Sequence, residues 1–434
     1  MDKKNKTDLN VTEKQHKGKK FNHELLEFMA GLGKSLTSAG ISVTAVQSIL
    51  YDIAKAYEVK AEILIFTTFL IIKLGDEESP PLTTVNQISG LSHLNQVSEL
   101  YELIYLAEKA EITPKEGQER LKKITCQKHR FGVLGIIFGY ILFALGLGML
   151  LQPTPQQLLI SGLLGGIVSL LLILSENKPR LTLILPVLAA FIVSSILFWG
   201  VKEGLILVGS FTILVPALAY FLPGATLTTG MFELASGDMI SGASRTIYGV
   251  TILFLLLFGV LIGVQITGLS QHDLIVNSIP ISTFGWVPLI GILLFAMGMF
   301  LFMSMRTKDL PWVILVLYIA FFGQQVGNYF IGSFFGAFLG SLFMTVSGTL
   351  IGRSPKRTPS FVSTISAFWF LVPGSLGFIG LATLIGQNYF TAVNNLILLI
   401  MTVVAISLGL LIGAAIAEPL RLQKIRSKLY KDSK

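Results

Sequence analysis

From Phe131 onward the chain is a succession of apolar runs of a length to cross a bilayer as helices, about 20 residues each, parted by short polar loops. The candidate spans are Phe131–Leu151, Leu158–Leu174, Leu181–Trp199, Gly204–Leu222, Thr246–Leu269, Gly285–Met305, Pro311–Asn328, Tyr329–Ile351, Ser360–Ile385 and Val393–Ala417, ten in all. The front of the chain has a different rhythm. His23–Tyr57 carries apolar residues at helical spacing (Leu26, Met29, Leu32, Leu36, then Val46, Ile49, Ile53), interrupted at Ser38-Ala39-Gly40, which predicts two helices. Ala61–Leu74 is β-branched and aromatic and reads as a strand, and Pro80-Pro81 breaks the chain before a second strand at Leu82–Ile88. Leu91–Ala110 and Pro114–Lys128 again read as helices, so the expected front domain is α/β or α+β.

Charge sharpens this division. Only 13% of the 434 residues are charged and mean hydropathy is +0.71, yet most of the charge lies in the first 130 residues. Among the loops, basic residues gather before span one (Lys122, Lys123, Lys128, Arg130) and after span two (Lys178, Arg180), four (Arg245), six (Arg306, Lys308), eight (Arg353, Lys356, Arg357) and ten (Arg421, Lys424, Arg426, Lys428). All these connections face one side of a ten-span protein, so the positive-inside rule places both termini in the cytoplasm of a multi-pass plasma-membrane protein. Met1–Lys20 is Lys-rich but lacks the apolar core and small-residue cleavage site of a signal peptide. The expected divisions are a basic disordered tail over 1–20, a cytoplasmic domain over 21–130, membrane units over 131–269 and 285–417, and a basic tail over 418–434. The net charge of +8 then reads as topology and contact with anionic lipids, not nucleic-acid binding. The lone Cys126 implies no disulfide, and no metal-ligand spacing, P-loop or dinucleotide fingerprint points to a cofactor or to an enzyme. His23, His93 and His129 are isolated and read as surface residues.

Two apolar segments match at a fixed offset: Phe211–Gly224 (FTILVPALAYFLPG) and Phe361–Gly374 (FVSTISAFWFLVPG). Each ends on Pro-Gly. Broken backbone is tolerated at membrane depth only where it is buried or lines a wet cavity, and paired breaks in two halves of a chain point to a transporter's substrate site. If each segment is the fourth span of a five-span unit, the odd number makes the two units inverted repeats. Within the apolar region, Glu233 and Asp238 follow the first Pro-Gly and are the only acidic residues outside short flanking loops. They are candidates for proton coupling or for a counter-charge, and Asp238, Ser241 and Arg245 fall on one helical face. The alternative is a solvated amphipathic helix, with Arg245 a topology anchor. Pro223, Gly224, Thr226 and Thr228, with Pro373, Gly374 and Ser375, form the candidate binding set. Helix amino ends suit a carboxylate, and exposed carbonyls or an acidic side chain suit an ammonium. These features leave an amino acid, a small acid or an ion open.

Other polar residues in the spans are few. Gln324, Gln325 and Asn328 line a path or bond a neighbouring helix, and glycines at 323, 327, 332, 336 and 340 mark close packing or a homodimer surface.

In the order of its parts the chain resembles the threonine/serine exporter family. The segments that carry the resemblance are Leu36–Val59 (LTSAGISVTAVQSILYDIAKAYEV), Ile112–Ile124 (ITPKEGQERLKKI), Phe221–Arg245 (FLPGATLTTGMFELASGDMISGASR) and Phe370–Phe378 (FLVPGSLGF). Where that family commonly has an Arg-bearing strand leading into Asn-Leu-Asp, this chain has Pro81-Leu-Thr-Thr-Val-Asn86. The resemblance implies a secondary transporter that exports L-threonine, L-serine or a related small amino acid, coupled to protons, with Pro223, Gly224, Glu233, Asp238, Pro373 and Gly374 carrying the transport. The competing readings are a small-ion or organic-acid channel, and a membrane sensor or anchored hydrolase with an active or regulatory front domain.

Overall fold

The computed structural model describes residues 21–75, 82–86, 93–151, 154–176, 178–206, 210–268, 285–354, 357–371, 378 and 389–431. The chain divides into two compact units: one runs to Lys128 and includes Ser236–Ser241, and the other holds His129–Ala235 and Gly242 onward.

In the first unit, helix α1 (residues 21–38) stops where Gly40 takes φ +87°, a left-handed conformation that costs glycine little. The amide of Gly40 bonds the Thr37 carbonyl and that of Ile41 the Leu36 carbonyl, closing the helix end. Ser42 then caps α2 (Val43–Ala56). The stretch Ala61–Leu74 is a hairpin and not the single strand its composition suggests. β1 (Ala61–Ile65) turns back into β2 (Phe69–Leu74), with the Phe66 amide on the Phe69 carbonyl at 2.8 Å. Both arms are β-branched, so composition alone hides the turn; burial alternates along each arm because one face covers the helices. β3 (Leu82–Asn86) pairs with β2 to give an antiparallel sheet in the order β1-β2-β3. Helix α3 (Leu94–Ala107) follows, then α4 (Pro114–Thr125), which starts on a Thr113/Glu116 capping box with Pro at its first position. Of the two classes expected, the meander with its helices to one side is α+β. Its core is Phe28, Leu32, Leu50, Ile53, Leu70 and Ile72, all fully buried.

The second unit is helical among its described residues: α5 (Gly132–Leu150), α6 (Pro155–Ser175), α7 (Pro179–Lys202), α8 (Ser210–Ala217), α9 (Gly224–Ala235), α10 (Met239–Thr267), α11 (Val287–Phe302), α12 (Leu310–Phe330), α13 (Ser333–Gly352), α14 (Ser360–Leu371) and α15 (Tyr389–Lys431). Seven of these contain stretches long and apolar enough to span a bilayer, and Val287–Phe302 and Ser360–Trp369 are shorter apolar helices. The molecule is therefore a polytopic helical membrane protein. Large apolar side chains such as Leu134, Leu163, Leu183, Phe254 and Ile400 are exposed around it, as lipid-facing positions are.

Glycines set the helix crossings. α5 and α11 run antiparallel in close contact. A Cβ at Gly139 would meet the Phe302 amide at 2.4 Å, one at Gly146 the Phe295 amide at 2.3 Å and one at Gly298 the Phe143 amide at 2.2 Å, so only glycine allows this approach. α7 and α10 cross where Gly259 and Gly263 lie on Val187–Ser195, and α13 and α15 cross where Gly409 and Gly413 lie on Phe338–Thr345. Gly323 and Gly327 of α12 meet Gly340 and Gly336 of α13. Gly323, Gly327, Gly336 and Gly340 are thus used for packing within one chain, whereas Gly332, at φ +121° before α13, meets nothing within 4 Å.

Candidate functional site

The first Pro-Gly segment is a broken helix. α8 contains Pro216, which has no amide to donate, and it ends one residue later. A short 3₁₀ turn (Ala219–Phe221) follows, and Leu222 is extended (φ −66°, ψ 121°), the conformation favoured before proline. α9 then restarts at buried Gly224, with the Leu227 amide on the Pro223 carbonyl at 2.8 Å. The backbone groups freed by the break must find partners in a dry interior. Tyr140 of α5, fully buried, supplies one for each kind: its hydroxyl donates to the Ala217 carbonyl at 2.9 Å and accepts from the Tyr220 amide at 3.3 Å. A tyrosine in the middle of an otherwise apolar span was the available sequence signal for this role, and spacing rules pass over it.

Around that hydroxyl lies an aromatic cluster. Tyr140 packs edge-on against Phe302 (centroids 4.9 Å apart), Phe143 lies 5.0 Å from Phe295 and 5.4 Å from Trp369, and Tyr220 lies 5.7 Å from Phe302 and 6.1 Å from Trp369. The rings come from α5, α11, the 3₁₀ turn and α14, so the cluster gathers elements far apart in sequence.

Of the candidate binding residues, Pro223, Gly224 and Thr228 are buried and Thr226 is half-buried at the start of α9. The Thr228 hydroxyl bonds back to the Gly224 carbonyl at 2.9 Å, so it serves its own helix. Its carbonyl accepts from Ser407 of α15 at 3.2 Å, which ties α9 to the last helix. Pro373, Gly374 and Ser375 lie outside the described residues.

The charged candidates separate. α9 and α10 form an antiparallel hairpin in which a Cβ at Gly242 would meet the Gly230 carbonyl at 2.6 Å. One turn beyond each glycine stand Glu233 and Arg245. The Arg245 Nε–H donates to both carboxylate oxygens, at 3.1 and 3.0 Å, with the Glu233 side chain fully buried and that of Arg245 14% exposed. The alternative of solvated charges therefore does not hold at these two positions. Asp238 belongs to the turn next to Gly237 (φ +95°), where its partial burial holds the carboxyl above the usual carboxylate range. Ser241 is buried in the first turn of α10.

A second buried carboxylate, Asp309 just before α12, was passed over as part of a flanking loop. Arg306 Nε donates to its Oδ2 at 2.9 Å, and the Thr358 hydroxyl, just before α14, donates to its Oδ1 at 3.1 Å. Asp309 thereby joins the starts of two helices. The signal was its spacing from Arg306, three residues, close to the edge of an apolar run.

Interrupted helix, buried ion pair and multi-pass helical architecture together define a membrane transport protein. Residues 27–267 match the family model ThrE, described as a threonine/serine exporter, and the chain belongs to that family. No curated protein and no solved structure matches it. ThrE is a family of transporters, so the chain is a membrane exporter of the threonine/serine type. The region matched includes the first Pro-Gly break and the Glu233–Arg245 hairpin.

Proposed function

We propose that this protein carries a small amino acid of the threonine/serine class out of the cell by alternating access, with two inverted five-helix repeats moving against each other and the substrate held at their Pro-Gly breaks. The observation that carries the proposal is the interruption at Pro223-Gly224, whose free backbone groups are satisfied from inside the bundle by Tyr140. An interruption of this kind supplies backbone amides and carbonyls at the depth where a zwitterion must be bound.

Three features support the inverted repeat. α5 and α11 hold the same rank in the two halves and run antiparallel, with Phe143 facing Phe295, its counterpart 152 positions later. The Gly259/Gly263 crossing returns at Gly409/Gly413, 150 positions on, against the helix of the same rank. α6 and α7 pack on α8 as α12 and α13 pack on α14. In this arrangement the basic loops face the cytoplasm and anionic lipids, both termini are cytoplasmic, and the front domain is regulatory.

The substrate carboxylate binds at the amino end of α9, formed by Gly224, Ala225 and Thr226, and Pro373, Gly374 and Ser375 are the residues that match it by sequence in the other half. Asp238 is the proton-exchanging carboxyl, because burial already favours its neutral form. Glu233 and Arg245 keep the hairpin fixed. The test is counterflow in proteoliposomes loaded with unlabelled threonine and given labelled threonine outside. Transient accumulation is expected for wild type, and Asp238→Asn is expected to keep exchange while losing the response to a pH gradient. Flux that never saturates with amino acid would instead favour a channel.

A further inference from the structure

An amino acid brings an ammonium group as well as a carboxylate, and on the reading just proposed something at the breaks must receive it. The nearest acidic side chain in the sequence is Glu233, but both of its oxygens already accept from Arg245. Moving an ammonium onto that carboxylate would leave a buried guanidinium without its counter-charge, which is costly in a dry interior.

The aromatic cluster offers another solution. Tyr140 and Phe143 are fully buried and Phe302 is 7% exposed, whereas Tyr220 and Trp369 are both half-buried. These last two are the least buried members of the cluster. They come from opposite halves of the chain, Tyr220 just before Pro223 and Trp369 just before Pro373. Their centroids lie 6.1 Å apart with the planes tilted by 49°, close enough that one cation can lie within about 6 Å of both, the reach over which a ring quadrupole attracts it.

We propose that Tyr220 and Trp369 form the ammonium subsite and bind the substrate's primary ammonium by cation–π attraction, so that the protein selects zwitterions over the corresponding deaminated acids. Phe143 and Phe302 hold the two rings in place from behind: Phe302 packs on Tyr220 and Phe143 on Trp369. A neutral π face takes up a cation without changing its own protonation. It also binds weakly enough for release, which a carrier needs at every cycle. Because each half contributes one ring, movement of the halves would part the rings and open the subsite.

The test compares L-threonine with 3-hydroxybutyrate, the same carbon chain and hydroxyl without the amine. The readouts are the half-saturating concentration of threonine in counterflow and the inhibition constant of the acid. In wild type the acid should inhibit at least about tenfold more weakly than threonine binds. Trp369→Leu and Tyr220→Leu should each raise the threonine constant about tenfold and leave that of the acid unchanged. Trp369→Phe, a milder change that keeps an aromatic ring, should weaken threonine about threefold and again spare the acid. If the leucine variants do not reach the membrane folded, the phenylalanine variant decides alone. An equal effect on both ligands would mark the rings as packing and overturn the subsite, as would variants that bind threonine like wild type. Wild-type protein that exchanges no small amino acid would overturn the carrier reading and the subsite together, whereas exchange with unaltered amine discrimination would overturn the subsite only.

Discussion

Glu233 shows what a single buried carboxylate demands. With its side chain removed from water, its charge is offset by the Arg245 guanidinium, which presents Nε–H to both oxygens. Removing one partner leaves the other charged and unsolvated. Arg245→Ala is therefore expected to destabilise the protein by about 3–5 kcal/mol, while the double replacement Glu233→Gln with Arg245→Gln recovers much of the loss. Thermal unfolding in detergent measures both. If the double variant were no more stable than the single one, the pair would not be acting as a unit. The same reasoning covers Asp309, which accepts from Arg306 on both oxygens and from Thr358 on Oδ1.

At the scale of elements, the break between α8 and α9 depends on one hydroxyl. Pro216 and Pro223 remove two amide donors from the segment, and Tyr140 then satisfies a carbonyl and an amide that the helix no longer pairs. Tyr140→Phe keeps the ring contacts with Phe143 and Phe302 but leaves both backbone groups unpaired, an expected cost of about 1–3 kcal/mol. Hydrogen exchange should rise at Tyr220 and its neighbours in this variant, with α6 and α7 unaffected. Unchanged protection there would mean that another group takes the place of the hydroxyl.

Across the membrane unit, the crossing of α5 and α11 is one of the contacts that join helices far apart in sequence. Gly139, Gly146 and Gly298 each place a backbone where a Cβ would intrude on the partner's main chain, which cannot move aside as a flexible side chain can. Gly298→Val is expected to force the helices apart at a cost of about 1–3 kcal/mol, and Gly285→Val, near no packed neighbour, is the control. A cysteine pair at Phe143 and Phe295, whose rings are 5.0 Å apart, should be joined within one chain by a short bifunctional thiol reagent. Failure to cross-link in the folded membrane protein would contradict the antiparallel arrangement.

The sequence by itself determined the parts that follow from solvent and chain length. Apolar runs of membrane-spanning length leave helix as the way to satisfy their backbone amides, so the helical membrane unit was legible, as were the two front helices and the first Pro-Gly break. It also located Glu233 and Arg245, because charges are conspicuous against an apolar background. It did not determine their pairing, which depends on Gly230 and Gly242 bringing two helices close enough for the Arg245 side chain to reach Glu233. Nor did it show the turn inside Ala61–Leu74, where both arms have the same composition and only the pairing across the hairpin distinguishes them. Tyr140, Tyr220 and Trp369 lie in three separate elements, and nothing local marks them as neighbours. Their convergence was decided by the helix crossings alone, since a site assembled from distant segments is a property of packing and not of any one segment's periodicity.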